Sequence, residues 1–120
     1  MRIFVMLGSA NMFLAVALGA FGAHGLKSRV SAEMLAVWQT AVLYHLAHAL
    51  GLLLVGLLAA HLPVKAAGWT LFTGIVLFSG SLYLMVLTDV RALGIITPLG
   101  GVAFLAGWLL LALSAMRLAG

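Results

Sequence analysis

The chain has 120 residues, of which 66% are hydrophobic and only 7% charged, and its mean hydropathy of +1.30 lies far outside the range of soluble globular domains. Six Lys and Arg against two Asp and Glu leave a net charge of +4, too few charges to wet the outside of a soluble sphere, so lipid must cover the surface. The same figures exclude intrinsic disorder, a nucleic-acid-binding face and, since cysteine is absent from the sequence, a disulfide scaffold.

From Ile3 to Leu26 the sequence carries no Asp, Glu, Lys or Arg, longer than the roughly 20 residues a helix needs to cross a bilayer. Its start resembles a secretory signal, with Arg2 as a thin basic region and Ala20-Phe21-Gly22 as a small-residue cleavage site. A signal's apolar run is only about 7 to 15 residues, so the segment reads as a retained span.

The next uncharged stretch, Met34 to Val64, would reach about 46 Å as one helix, beyond a hydrocarbon core of about 30 Å. Its first turns must therefore lie outside the core. Ser31 is placed to cap a helix whose early turns hold Glu33, Trp38 and Gln39, and a tryptophan there suits the headgroup layer. Pro63 ends this span and Lys65 marks the water boundary. The third span runs from Ala66 to Thr88 and stops at Asp89 and Arg91, after which Thr97-Pro98 has the chemistry of a helix start, hydroxyl cap followed by proline.

The expected architecture is an all-α integral membrane protein, a compact four-transmembrane-helix bundle forming one domain, with spans at about 3–23, 39–61, 66–88 and 98–117. A β-barrel fails, because its strands alternate apolar and polar whereas these runs are apolar all round. Small residues at helical spacing, as in Ala15, Gly19 and Ala23, Ala47 and Gly51, and Ala103 and Gly107, allow close helix approach.

Four spans put both termini on one side and the two longer loops on the other. Lys27, Arg29 and Arg91 then oppose Arg2, Lys65 and Arg117, so the positive-inside rule returns a tie. The helical rise places Tyr44 about 7 Å and His48 about 13 Å below Gln39, with Ser79, Ser81 and Asn11 at comparable depth. Glu33, Thr40, Tyr44 and His48, spaced by seven, four and four residues, share one helix face. The candidate polar cavity, open to the two-loop side, consists of His24, Gln39, Thr40, Tyr44, His48, Ser79, Ser81, Tyr83, Arg91 and Thr97. In the competing reading the same groups bond between or along helices and line no ligand site.

No motif of recognised spacing points to catalysis or a cofactor. His45 and His48 are a pair without further ligands, and the only carboxylates, Glu33 and Asp89, belong near the interface. Ser79 and His48 sit at matching depth, but nothing supplies an activating turn or an orienting third group. The start of the fourth helix with Arg91 nearby favours an anion, either a small solute or a lipid headgroup, while pairing of Arg91 with Asp89 is the alternative. The partners expected are the bilayer, a headgroup or small anion, and a second copy or another membrane protein. Three function classes stay open: a ligand-binding protein, a structural or assembly partner, and an oligomeric transporter of small solutes or ions.

Ala17-Leu-Gly-Ala-Phe-Gly-Ala-His24, Gln39-Thr40 with Tyr44 and His48, Leu77-Phe-Ser-Gly-Ser-Leu-Tyr83, Thr97-Pro-Leu-Gly-Gly101 and Phe104-Leu-Ala-Gly-Trp108 together resemble the family called domain of unknown function 423. That resemblance touches all four spans and implies a small four-helix inner-membrane protein of bacteria, similar also to a eukaryotic transmembrane family. It brings no reaction, substrate or cofactor. The family pattern includes the ten cavity candidates and Pro98, and leaves out His45, His61 and Asp89, which weakens the two-histidine pair and any role for Asp89. Relatives are more basic in the second loop and C-terminal tail, which implies cytoplasmic termini.

Overall fold

The computed structural model describes residues 2–119, with side chains through Arg117. Among them are four long helices and no strand: α1 (Arg2–Phe21), α2 (Ala32–Leu58), α3 (Lys65–Thr88) and α4 (Thr97–Ala119). Each is long and apolar enough to cross a membrane, so the four expected spans are present.

Local chemistry sets the helix ends. Ser31 caps α2, its Oγ accepting from the Met34 N–H at 3.1 Å, as its position before the run implies. Asp89 ends α3 in the left-handed region at φ 58°, with its N–H donating to the Met85 carbonyl, a common helix stop. The start of α4 departs from expectation. Thr97 is already helical and bonds to Ser81 instead of capping, because a 3-10 turn over Arg91–Ile95 leads straight into α4. The N–H groups of Ile96, Leu99 and Gly100 are bonded to the carbonyls of Leu93 and Ile96, so that terminus is not an open anion cradle.

Beyond Phe21 the first helix continues as a π-helical turn over Gly22–Leu26. Trp38 accounts for it: the indole N–H donates to the Leu18 carbonyl at 2.8 Å and the ring lies against Gly22, where a Cβ would sit 2.5 Å from it. A side chain inserted into the helical ladder widens the turn. Trp38 lies in the second turn of α2 but is 1% exposed, between α1 and α2, with its N–H on an α1 carbonyl in place of a headgroup.

Helix α1 packs on α2, α2 on α3, and α3 on α4. The bundle is flattened, 52 × 26 × 17 Å, with α2 and α3 as the inner pair. At the termini end Phe4, Leu52, Val55, Leu71 and Phe104 form one apolar cluster, and at the two-loop end Leu26, Met34, Trp38 and Val86 form another. The closest approach between α3 and α4 is at Gly100, where any Cβ would overlap the Phe78 backbone. Of the small residues singled out by spacing, Ala15, Gly51 and Gly107 are buried, whereas Ala23 and Ala47 face outward.

Candidate functional site

Between the two apolar clusters lies a layer of polar side chains supplied by α1, α2 and α3. His45 on α2 is 2% exposed; its Nε2 lies 2.9 Å from Asn11 Oδ1 on α1 and its Nδ1 lies 2.9 Å from the Tyr83 hydroxyl on α3. The Asn11 amide nitrogen donates to the Leu7 carbonyl at 2.8 Å, which leaves Oδ1 as an acceptor. His45 therefore donates through Nε2–H, and Tyr83 O–H donates to Nδ1. One turn before Tyr83 on α3, Ser79 donates to the Ala41 carbonyl at 2.8 Å. The lipid-side groove over this network, about 230 Å³, is bordered by Leu14 and Val76.

His48 belongs to the opposite side of the α2–α3 pair. Its Nδ1–H donates to the Tyr44 carbonyl at 2.8 Å, and its Nε2 accepts from the Trp108 indole on α4 at 3.0 Å. An indole can only donate, so the hydrogen of this imidazole sits on Nδ1. The ring stacks on Phe104 at 3.5 Å between centroids, and Tyr44 packs over Phe78 at 4.5 Å. These rings line a groove of about 540 Å³ between α2 and α4.

The two-loop rim holds the charged groups. Arg91 reaches Glu33 at 3.0 Å and lies 4.0 Å from Asp89. With Arg29, Ser31 and Asp89 it borders a pocket of about 450 Å³ floored by Val30, Met34, Val86 and Leu87. Just inside, Ser81 donates to the Phe78 carbonyl at 2.9 Å and accepts from the Thr97 hydroxyl at 2.6 Å.

The ten cavity candidates thus do not share one cavity. Tyr44 with His48, Ser79 with Tyr83, and Ser81 with Thr97 fall in three separate places, and Arg91 lies at the rim. His24, Gln39 and Thr40 are exposed; Thr40 bonds back to the Ala36 carbonyl, and Gln39 borders the α1–α2 groove. The physical reason is azimuth. Adjacent residues on a helix point about 100° apart, so His45 and Ser79 turn toward α1 while Tyr44, His48 and Phe78 turn toward α4. The Ser79 and His48 pairing at matching depth fails on the same ground, and His45 and His48 bind different partners on different sides. The residues that spacing missed are His45 as a hub and Trp38 and Trp108 as donors. An indole N–H in the middle of a span must find an acceptor, a signal that Trp108 carries in the sequence.

Comparison with known proteins agrees with this architecture. The family model described as "Protein of unknown function (DUF423)" matches residues 18–101, from the end of α1 to the first turn of α4. The UPF0382 membrane protein YwdK of Bacillus subtilis is 51% identical over 98% of both chains, and the UPF0382 membrane protein SERP0230 of Staphylococcus epidermidis is 49% identical over the whole of both. A third relative, the UPF0382 membrane protein SSP2132 of Staphylococcus saprophyticus, is 48% identical over 98% of this chain. No solved structure matches the chain. Four apolar spans in the structure and full-length identity near one half to bacterial membrane proteins lead to one conclusion: this chain is a membrane protein and belongs to the DUF423 family.

Proposed function

We propose that the protein is a non-catalytic, lipid-binding component of the bacterial plasma membrane that holds a phosphate-bearing lipid headgroup in the rim pocket, with both termini cytoplasmic. The observation that carries this reading is the pairing of Arg29 and Arg91 across a 450 Å³ pocket with an apolar floor. No carboxylate lies within 4.0 Å of Arg29 among the described residues, whereas Arg91 pairs through Nη1 with Glu33 at 3.0 Å and lies 4.0 Å through Nε from Asp89, which borders the same pocket. The remaining guanidinium donors suit a phosphate, and Val30, Met34, Val86 and Leu87 suit the first carbons of acyl chains. A soluble phosphate would gain nothing from that floor, so the ligand is a lipid.

Catalysis finds no support in the arrangement, because His45, His48 and Ser79 are each committed to structural partners. The cations tie at three on each side, so the orientation rests on the family resemblance, whose members are more basic in the second loop and C-terminal tail.

Native mass spectrometry with added phosphatidylglycerol tests the site. Replacing Arg29 or Arg91 by Ala should weaken lipid retention about fivefold each, the effect of roughly one interfacial charge. Retention unchanged in both variants, or equal competition by inorganic phosphate, overturns the proposal.

A further inference from the structure

The rim pocket presents charge of both signs. Arg29 and Arg91 border it together with Asp89, and Glu33 pairs with Arg91, so two cations and two carboxylates cancel. A headgroup whose only charge is its phosphate would be drawn to the guanidinium groups and repelled by Asp89. A headgroup that carries a cation beside the phosphate meets a partner for each of its charges.

Asp89 is the carboxylate free to make that distinction. Its side chain is 79% exposed, and the one cationic atom within 4.0 Å of it among the described residues is Arg91 Nε, at 4.0 Å. Glu33, by contrast, takes Arg91 Nη1 at 3.0 Å. The turn that holds Asp89 does not need its charge. Asp89 ends α3 at φ 58°, a conformation that asparagine adopts as well, and a carboxylate at a helix C-terminus faces the negative end of the helix dipole. The turn is held by the Asp89 N–H on the Met85 carbonyl and by the Val90 N–H on the Thr88 hydroxyl at 3.3 Å, neither of which involves the carboxylate.

The lining also says which cation fits. No aromatic ring is among the residues that border the pocket, and a quaternary ammonium is recognised chiefly by aromatic faces. A primary ammonium instead donates hydrogen bonds to a carboxylate. In phosphoethanolamine two carbons separate the phosphate oxygen from the ammonium, so one headgroup can reach both Arg91 and Asp89.

We infer that the rim pocket selects a zwitterionic phospholipid with a primary ammonium, of the phosphatidylethanolamine class, its phosphate on Arg29 and Arg91 and its ammonium on Asp89. This rests on the headgroup-binding reading above and narrows it. At about 450 Å³ the pocket falls within the size range of small-molecule sites, and Asp89 is its specificity-determining residue. Asp89 lies outside the family pattern, so the preference is one for this chain alone.

Native mass spectrometry with an equimolar mixture of phosphatidylethanolamine, phosphatidylglycerol and phosphatidylcholine of one acyl composition tests the preference. The native chain should retain phosphatidylethanolamine about threefold over each of the others, the scale of one exposed charge pair. Asp89→Asn keeps the turn, so it should leave the melting temperature unchanged and bring the ethanolamine-to-glycerol ratio to about one without lowering phosphatidylglycerol retention. Arg29→Ala should lower the retention of all three lipids together. Soluble phosphoethanolamine at the same concentration should displace none of them. Equal retention of the three lipids by the native chain, an unchanged ratio in Asp89→Asn, or displacement by soluble phosphoethanolamine overturns the inference. If the ratio is flat while Arg29→Ala still weakens every lipid, the preference falls and headgroup binding stands. If Arg29→Ala and Arg91→Ala leave all three lipids retained as before, headgroup binding falls and the preference with it.

Discussion

Trp108 donates its indole N–H to Nε2 of His48 across 3.0 Å, tying the outermost helix to α2 through an imidazole whose other nitrogen is already spent on its own helix. Removing the donor strands an acceptor in hydrocarbon. Trp108→Phe should lower the stability of the detergent-solubilised protein by about 1 kcal/mol, within the range for interhelical hydrogen bonds in membranes. His48→Phe should lose little more when added to it, so a double-mutant cycle in thermal or SDS unfolding should show strong coupling. Additive losses would contradict the bond.

His45 uses one nitrogen as donor and the other as acceptor. A glutamine amide can also do both, while leucine can do neither. His45→Leu should destabilise the bundle by about 1–2 kcal/mol, since Tyr83 and Asn11 would each lose a partner. His45→Gln should recover at least half of that loss in the same unfolding assay. Equal losses for both substitutions would show that ring shape, not hydrogen bonding, holds the three helices.

Neighbouring glycines should respond oppositely to alanine. Gly100→Ala forces α4 away from Phe78 and should cost about 1–3 kcal/mol, as overpacking does. Gly101→Ala adds a methyl in open space and should be neutral or stabilising by up to about 1 kcal/mol through helix propensity. Melting temperatures of the two variants side by side decide this.

Orientation can be read with a thiol reagent, because the native chain has no cysteine. With a membrane-impermeant maleimide on intact cells, Lys27→Cys should be labelled directly. Lys65→Cys should be labelled only after permeabilisation. The reverse pattern would place the termini outside.

The spans were legible because a charge-free stretch of bilayer length has few alternatives, and the Ser31 cap follows from local chemistry, whereas α2 ends at Leu58, about a turn before the expected stop at Pro63. Depth was read from helical rise alone, which put His48, Ser79, Ser81 and Asn11 at comparable levels. What the sequence could not supply was which neighbour each helix face meets. His48 and Ser79 share a depth yet turn away from each other, and His45, one residue from Tyr44, faces α1 and α3. The shift of the α4 start has a similar origin, for Thr97 chooses between its own helix and Ser81, and only tertiary contact decides.

The network around His45 also bears on the order of biogenesis. Its Tyr83 partner is 38 residues downstream, on a helix that enters the membrane only after the α1–α2 hairpin is complete. Until then Asn11 is the one interhelical partner that His45 has. Arrival of α3 adds the Tyr83 hydroxyl and the Ser79 bond to the Ala41 carbonyl, so the tie among the three helices closes only once α3 is in the membrane.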